Sequence, residues 1–255
     1  MLLAVLSLPW RIGLFVVAGF CGGVANSIAG GGSFFTFPAM LWAGVPAVGA
    51  NISSSIAVLP GYGGALAEFR GEIRDQRHLI VRLLPACAAG TVLGAWLLLH
   101  SSPTTFRAVV PWLVGGSTLI YWWAPRWTRR LATLEREPRL SIHLVAGVFA
   151  LSIYGGYFGS GVGIMILALL SLTLGGELRS SQGIRLALAL TMNSLTTIIF
   201  IHHGSLYYGA IAYSALGFGL GGFAGALLIA RLSALAARRV ILAIGVVTTL
   251  RLVTS

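Results

Sequence analysis

The stretch "SIAGGGSFFTFPAML", Ser27 to Leu41, sets three consecutive glycines inside an otherwise apolar run. A soluble phosphate-binding loop and a helix broken inside a membrane both accommodate such a run. The first requires a Lys-Ser or Lys-Thr pair after the glycines, and none follows. Composition also favours the second. The chain is 57% hydrophobic and 9% charged, where a soluble domain carries roughly a quarter charged residues. Mostly apolar runs of about 16–21 residues recur along it, close to what a ~30 Å hydrocarbon core demands. Ile80 to Leu99, Ala108 to Trp123 and Ile184 to Ile201 are clear examples. These runs are continuous rather than alternating, which excludes a membrane β-barrel. The expected fold is an all-α polytopic membrane protein, with no extended polar region left for a soluble catalytic domain.

The formal charge of +11 comes entirely from arginine, most of it in short loops beside apolar segments. That placement marks topology determinants rather than a nucleic-acid surface. Cys21 and Cys87 lie in apolar segments without metal or redox spacing, so both are read as packing residues. The opening "MLLAVLSLPWRIG" lacks a basic start and a clear cleavage site, and a removable signal peptide is not expected.

Ten helical pieces fit the pattern. In the first half they are Ile12–Ala29, Ser33–Ala43, Ala47–Ala67, Ile80–Leu99 and Ala108–Trp123. In the second they are Ile142–Phe158, Val162–Leu174, Ile184–Ile201, Tyr208–Ala230 and Val240–Val253. Charged loops are expected at "EFRGEIRDQRH" and "APRWTRRLATLEREPR". An offset of 131 places Gly30 on Gly161, Gly32 on Gly163, Gly90 on Gly221, Gly94 on Gly225 and Asn51 on Gln182. We therefore expect two homologous repeats, residues 1–124 and 142–255, joined by a basic cytoplasmic linker over 125–141. If each glycine-broken pair counts as an even number of passes, the second repeat is inverted. The loops at Arg70–Arg77, Arg126–Arg139, Arg179 and Arg231–Arg239 then share the cytoplasmic side, as the positive-inside rule favours.

The breaks carry the functional expectation. Irregular backbone at membrane depth is tolerated only where protein or a water-filled cavity satisfies it. The helix that restarts after a break presents unpaired N–H groups and a positive dipole end, which suits an anion. Gly30, Gly31 and Gly32 form one break, and Gly159, Gly161 and Gly163 in "YGGYFGSGVGIM" form the other. Matching breaks point to a site between repeats. Gly90/Gly94 and Gly221/Gly225 instead have the small-xxx-small spacing of close helix packing.

Neutral donors surround the breaks in the sequence. Asn51, Ser53 and Ser54 lie in "GANISSSIAVLP", and Gln182, Arg185 and Asn193 in "SSQGIRLALALTMNSLTT". Asn51 and Gln182, equivalent under the offset, are the first choice for oxyanion donors. Interhelical hydrogen bonding is the competing role. Arg185 either grips an oxyanion or, as preferred here, anchors a cytoplasmic helix end by snorkelling. All six acids lie in or beside loops, so no intramembrane carboxylate presents itself for proton or sodium coupling. His202 and His203 read as interfacial polar residues at a helix end.

The glycine-rich break followed by Pro38, then "GVPAVGANISSS" and "FRGEI", with "GGYFGSGVG" and "HHGSL" in the second half, resembles the TauE/SafE family of membrane permeases. The resemblance runs from about Leu14 to Leu250. It implies an inner-membrane exporter of sulfite, sulfoacetate or related organosulfur anions. Ser160 and Val162 interrupt the second glycine cluster, a departure from a clean triple glycine. The expected partners are a small anionic substrate and the lipid bilayer, with self-association left open. Neither nucleic acid nor a cofactor is expected. The competing functions are a carboxylate or other anion permease or channel, a membrane-embedded enzyme, and a non-transporting subunit.

Overall fold

The structure is a computed structural model and describes residues 8–28, 30–131, 140–174, 178–228 and 234–254. Those residues are helical, with no strand among them. The first half contains α1 (Leu8–Ile28), α2 (Ser33–Trp42), α3 (Ala47–Ala57), α4 (Tyr62–Glu68), α5 (Arg70–Asp75), α6 (Arg77–His100) and α7 (Pro103–Leu131). The second contains α8 (Ile142–Tyr157), α9 (Val162–Thr173), α10 (Leu178–His203), α11 (Tyr208–Leu228) and α12 (Ala234–Thr254). Within the described residues, three helices are long and apolar enough to cross a membrane: Arg77–His100, Ser180–His203 and Tyr208–Leu227. Ala108–Trp123 lies inside α7 but is not among the three.

Two expectations about the first half need correction. The piece Ala47–Ala67 is not one helix. A 3-10 turn at Leu59–Gly61 divides it into α3 and α4, because Pro60 has no N–H to give the helix ladder and crowds the preceding turn. The charged stretch "EFRGEIRDQRH" is not a loop either, since α5 forms within it and α6 starts at Arg77. The expected charged loop "APRWTRRLATLEREPR" is instead helical through Leu131, as the end of α7. Residues 132–139 of the expected linker, with Glu135 and Glu137, lie outside the described residues. So do Glu177 and the start of the Arg231–Arg239 loop.

One pair of helix starts keeps the offset that aligns the glycines: α6 begins at Arg77 and α11 at Tyr208, 131 positions apart. Packing follows the small residues. Gly90 and Gly94 of α6 lie against the α8 backbone at Phe149 and Ile153. Gly221 and Gly225 of α11 lie against α1 at Phe20 and Val24. Lipid tails are as apolar as leucine, so helices in a bilayer gain from backbone approach and close contact rather than from hydrophobic burial.

Neither α2 nor α9 can cross the bilayer. At 1.5 Å per residue they span about 15 and 18 Å, roughly half of the hydrocarbon core. The core clusters around them: Phe34, Phe37 and Met40 of α2 pack with Ile52, Phe106, Phe158 and Ile164. Phe37 and Phe158 meet edge to face, ring centroids 5.3 Å apart.

Candidate functional site

The breaks are built by glycines in conformations that other residues avoid. Gly30 has φ +71° and Gly161 φ +80°, the left-handed region where a Cβ meets the following carbonyl. Gly161 is the N-cap of α9, and Gly32 is the N-cap of α2. The two breaks touch. A Cβ on Gly30 would lie 3.5 Å from Gly163 Cα, and one on Gly163 would lie 3.6 Å from Gly30 Cα.

Arg185 occupies the junction. It is 1% exposed, on α10 about 10 Å along the axis from Leu178. Its Nη1 lies against both Gly30 and Gly163, in space that a side chain at either position would invade. Nε donates to Gln182 Oε1 at 2.6 Å, which fixes the guanidinium from behind. Nη2 is buried without a hydrogen-bond partner. This corrects the preferred reading of Arg185 as an interfacial anchor, since a snorkelling arginine keeps its charged head in water. The guanidinium here is taken wholly out of it.

A cavity of about 20 Å³ opens beside this group. Its walls include Gly31 and Ser33 at the start of α2, Gly161 and Gly163 at the start of α9, and Arg185 and Asn193 on α10. Two helix N-termini and a cation thus converge on one small space. Each N-terminus carries the equivalent of roughly half a positive charge. Nothing in that arrangement stabilises a cation; it can hold an anion. Room for about one water molecule is too little for an oxyanion, so the site is shut in this conformation.

The remaining sequence candidates divide. Gly159 also lines the cavity. Gly32 does not; it gives the Phe218 ring and the Gly22 carbonyl their room. Asn51 is buried, but its Nδ2 donates to the Tyr157 carbonyl at 2.9 Å, at the end of α8. Ser53 Oγ accepts from the Tyr207 N–H at 3.2 Å. Ser54 Oγ and Thr36 Oγ1 share a 2.5 Å hydrogen bond between α3 and α2. These three residues brace the breaks and are not cavity walls. Gln182 meets the site only through Arg185. Asn51 and Gln182, though equivalent in sequence, make different contacts.

Sequence reasoning missed Tyr62 and Asn26, both walls of the cavity. Tyr62 is buried, and its hydroxyl accepts from Asn193 Nδ2 at 3.0 Å. A signal existed: the offset that pairs Asn51 with Gln182 also pairs Tyr62 with Asn193.

Comparison with known proteins supplies the lineage. The model of the sulfite exporter TauE/SafE family matches residues 15–252. The chain belongs to the TauE/SafE family. Over 223 residues it is 30% identical to a probable membrane transporter protein, ORF9, of a Sinorhizobium species, covering 82% of this chain and 78% of the relative. Over another 223-residue match it is 31% identical to a probable membrane transporter protein of Haemophilus influenzae, covering 82% of each. No solved structure matches this TauE/SafE member. Family and relatives together make the chain a membrane transporter.

Proposed function

We propose that this TauE/SafE protein is a secondary transporter that exports a small oxyanion, with sulfite or a related organosulfur anion as cargo. One observation carries the reading: the ends of two half-helices meet at a buried arginine whose Nη2 has no protein partner. Moving an unpaired cation into a low-dielectric interior costs several kcal/mol. A site that bears such a cost gains when an anion arrives. Bidentate guanidinium–oxyanion hydrogen bonds and two helix N-termini would then replace the missing partner.

The shut cavity fits alternating access, in which the site is exposed to one side at a time. The 131-residue offset of the glycine clusters, shared by the α6 and α11 starts, supports two repeats moving against each other, and the arginine loops support their inversion. An interior-negative potential drives anion exit by ~2.3 kcal/mol per charge per 100 mV, enough without a coupled cation. Location in a bacterial-type inner membrane, with several passes, belongs to the same proposal. The test is counterflow in proteoliposomes against sulfite, sulfate, sulfoacetate and simple carboxylates. Counterflow with the sulfur oxyanions supports the reading. Exchange of carboxylates alone would move the protein to the carboxylate-permease alternative, and chemical conversion without movement would make it an enzyme.

A further inference from the structure

We propose that the hydrogen bond between Tyr62 and Asn193 is the latch that holds the anion site shut, and that an entering oxyanion replaces it. The proposal rests on the anion-site reading above and names the two side chains that gate it.

The chain brings the pair together in an unusual way. Tyr62 opens α4 immediately after the 3-10 turn at Leu59–Gly61, and Asn193 lies within the unbroken α10. The two positions are 131 apart, the spacing of the glycine clusters and of the α6 and α11 starts. They are equivalent points of the two halves, yet they bond to each other. Equivalent points of a two-fold arrangement come into contact only beside the axis that relates them. The bond therefore lies on the seam between the halves, where relative motion must part them or leave them as a pivot.

Cavity size decides between parting and pivoting. About 20 Å³ does not admit an anion of four or more heavy atoms. Tyr62, Asn193 and Arg185 all line that space. Another contact across the halves here is Gly30 against Gly163, which has no side chain to swing aside. Tyr62 and Asn193 can separate by side-chain rotation. Asn193 Nδ2 donates to Tyr62 Oη at 3.0 Å and to the Ala189 carbonyl at 2.8 Å. The phenol carries a proton of its own and can donate as well as accept. Once the bond opens, the amide and the phenol both face the cavity as donors. A neutral hydrogen bond is exchanged for bonds to charged oxygens, roughly twice as strong. The ligand class is an oxyanion whose oxygens accept from the Asn193 amide and the Tyr62 phenol as well as from Arg185. Such a ligand stabilises the open conformation by its differential affinity for it.

The experiment reads latch opening without any anion. Ser33→Cys places a reporter thiol in the cavity wall, in a Cys21→Ser background that keeps Cys87 as a buried internal control. A small uncharged methanethiosulfonate reagent is applied to the full chain in nanodiscs, and labelling of each thiol is followed by mass spectrometry. Tyr62→Phe keeps the ring and removes the acceptor; Asn193→Leu removes the donor. Each should accelerate labelling at position 33 about tenfold, equivalent to ~1.4 kcal/mol. The double variant should match either single variant in labelling rate, because each already removes the Tyr62–Asn193 bond. Unchanged rates in both single variants, or multiplicative rates in the double variant, would overturn the latch. So would equal acceleration at Cys87, which reports general loosening. Sulfite affinity measured on the same preparations separates the two claims. Sulfite binding insensitive to Arg185→Gln refutes the anion site, whatever the labelling shows.

Discussion

Gly30 and Gly163 stand back to back across the two helix breaks, each closing to within ordinary contact of the other's missing Cβ, with Arg185 Nη1 wedged against both. The relationship requires glycine at both positions, for different reasons. At Gly30 the backbone itself is left-handed, with φ +71°. At Gly163 only space is at stake: a Cβ would lie 3.1 Å from Arg185 Nη1.

Replacing them should separate stability from transport. Gly30→Ala carries a left-handed penalty of about 1–2 kcal/mol and displaces the guanidinium. It should lower thermal stability and abolish counterflow. Gly163→Ala should cost less stability than Gly30→Ala, because its Cβ crowds only the end of the Arg185 side chain, while reducing sulfite counterflow by moving Nη1. Equal thermal losses in both variants would contradict this division.

A second pair of variants addresses the scaffold. Gly94 meets the Ile153 carbonyl and Gly221 the Phe20 carbonyl so closely that a methyl group at either would overlap backbone. Gly94→Ala and Gly221→Ala should each cost about 1–3 kcal/mol, the range for overpacking. Gly116, with nothing within 4 Å of its Cβ position, is the control. Unfolding in detergent followed by melting temperature reads all three.

Asn51 and Gln182 should respond in opposite ways. Asn51→Ala strands the half-buried Tyr157 carbonyl, at about 1 kcal/mol, and should leave sulfite affinity unchanged. Gln182→Ala frees Arg185 from its 2.6 Å tether and should weaken sulfite binding. Gln182→Glu should weaken it further, because a carboxylate there neutralises the guanidinium. Binding isotherms together with melting curves decide it; loss of affinity in Asn51→Ala would return that amide to the site.

The repeat arrangement makes a prediction about sidedness. With inverted halves, a cysteine at Ala234 is labelled from the cytoplasmic side and one at Ser101 from the opposite side. Labelling of the Ala234 position only from outside would favour parallel repeats.

Much of this molecule could be read from its residues, and the rest failed for identifiable reasons. The breaks were legible because glycine clusters in an apolar run have few other uses. The interruption at Leu59–Gly61 was signalled by Pro60, but the apolar residues on both sides mask it. Arg185 was misread because an arginine near a helix start looks alike whether it points to water or inward. Its burial depends on Gly30 and Gly163, which are remote in sequence. Asn51 does not line the cavity because symmetry of position does not enforce symmetry of contacts. Its amide found the end of α8, whereas Gln182 found a neighbour three residues along its own helix. Tyr62 went unnoticed because a tyrosine beside glycines in an apolar run reads as packing, and only the 131-residue offset links it to Asn193.

The central claim is that Arg185 is a buried cation awaiting an anion, and thermal unfolding with added sulfite tests it most directly. A ligand that binds only the folded protein stabilises it by about 2.7 kcal/mol at a hundred times its Kd. The wild-type melting temperature should therefore climb with sulfite concentration. Arg185→Gln removes an unpartnered buried charge, so without ligand it should melt no lower than wild type, and sulfite should not move it. A sulfite-dependent rise of equal size in Arg185→Gln would contradict the account.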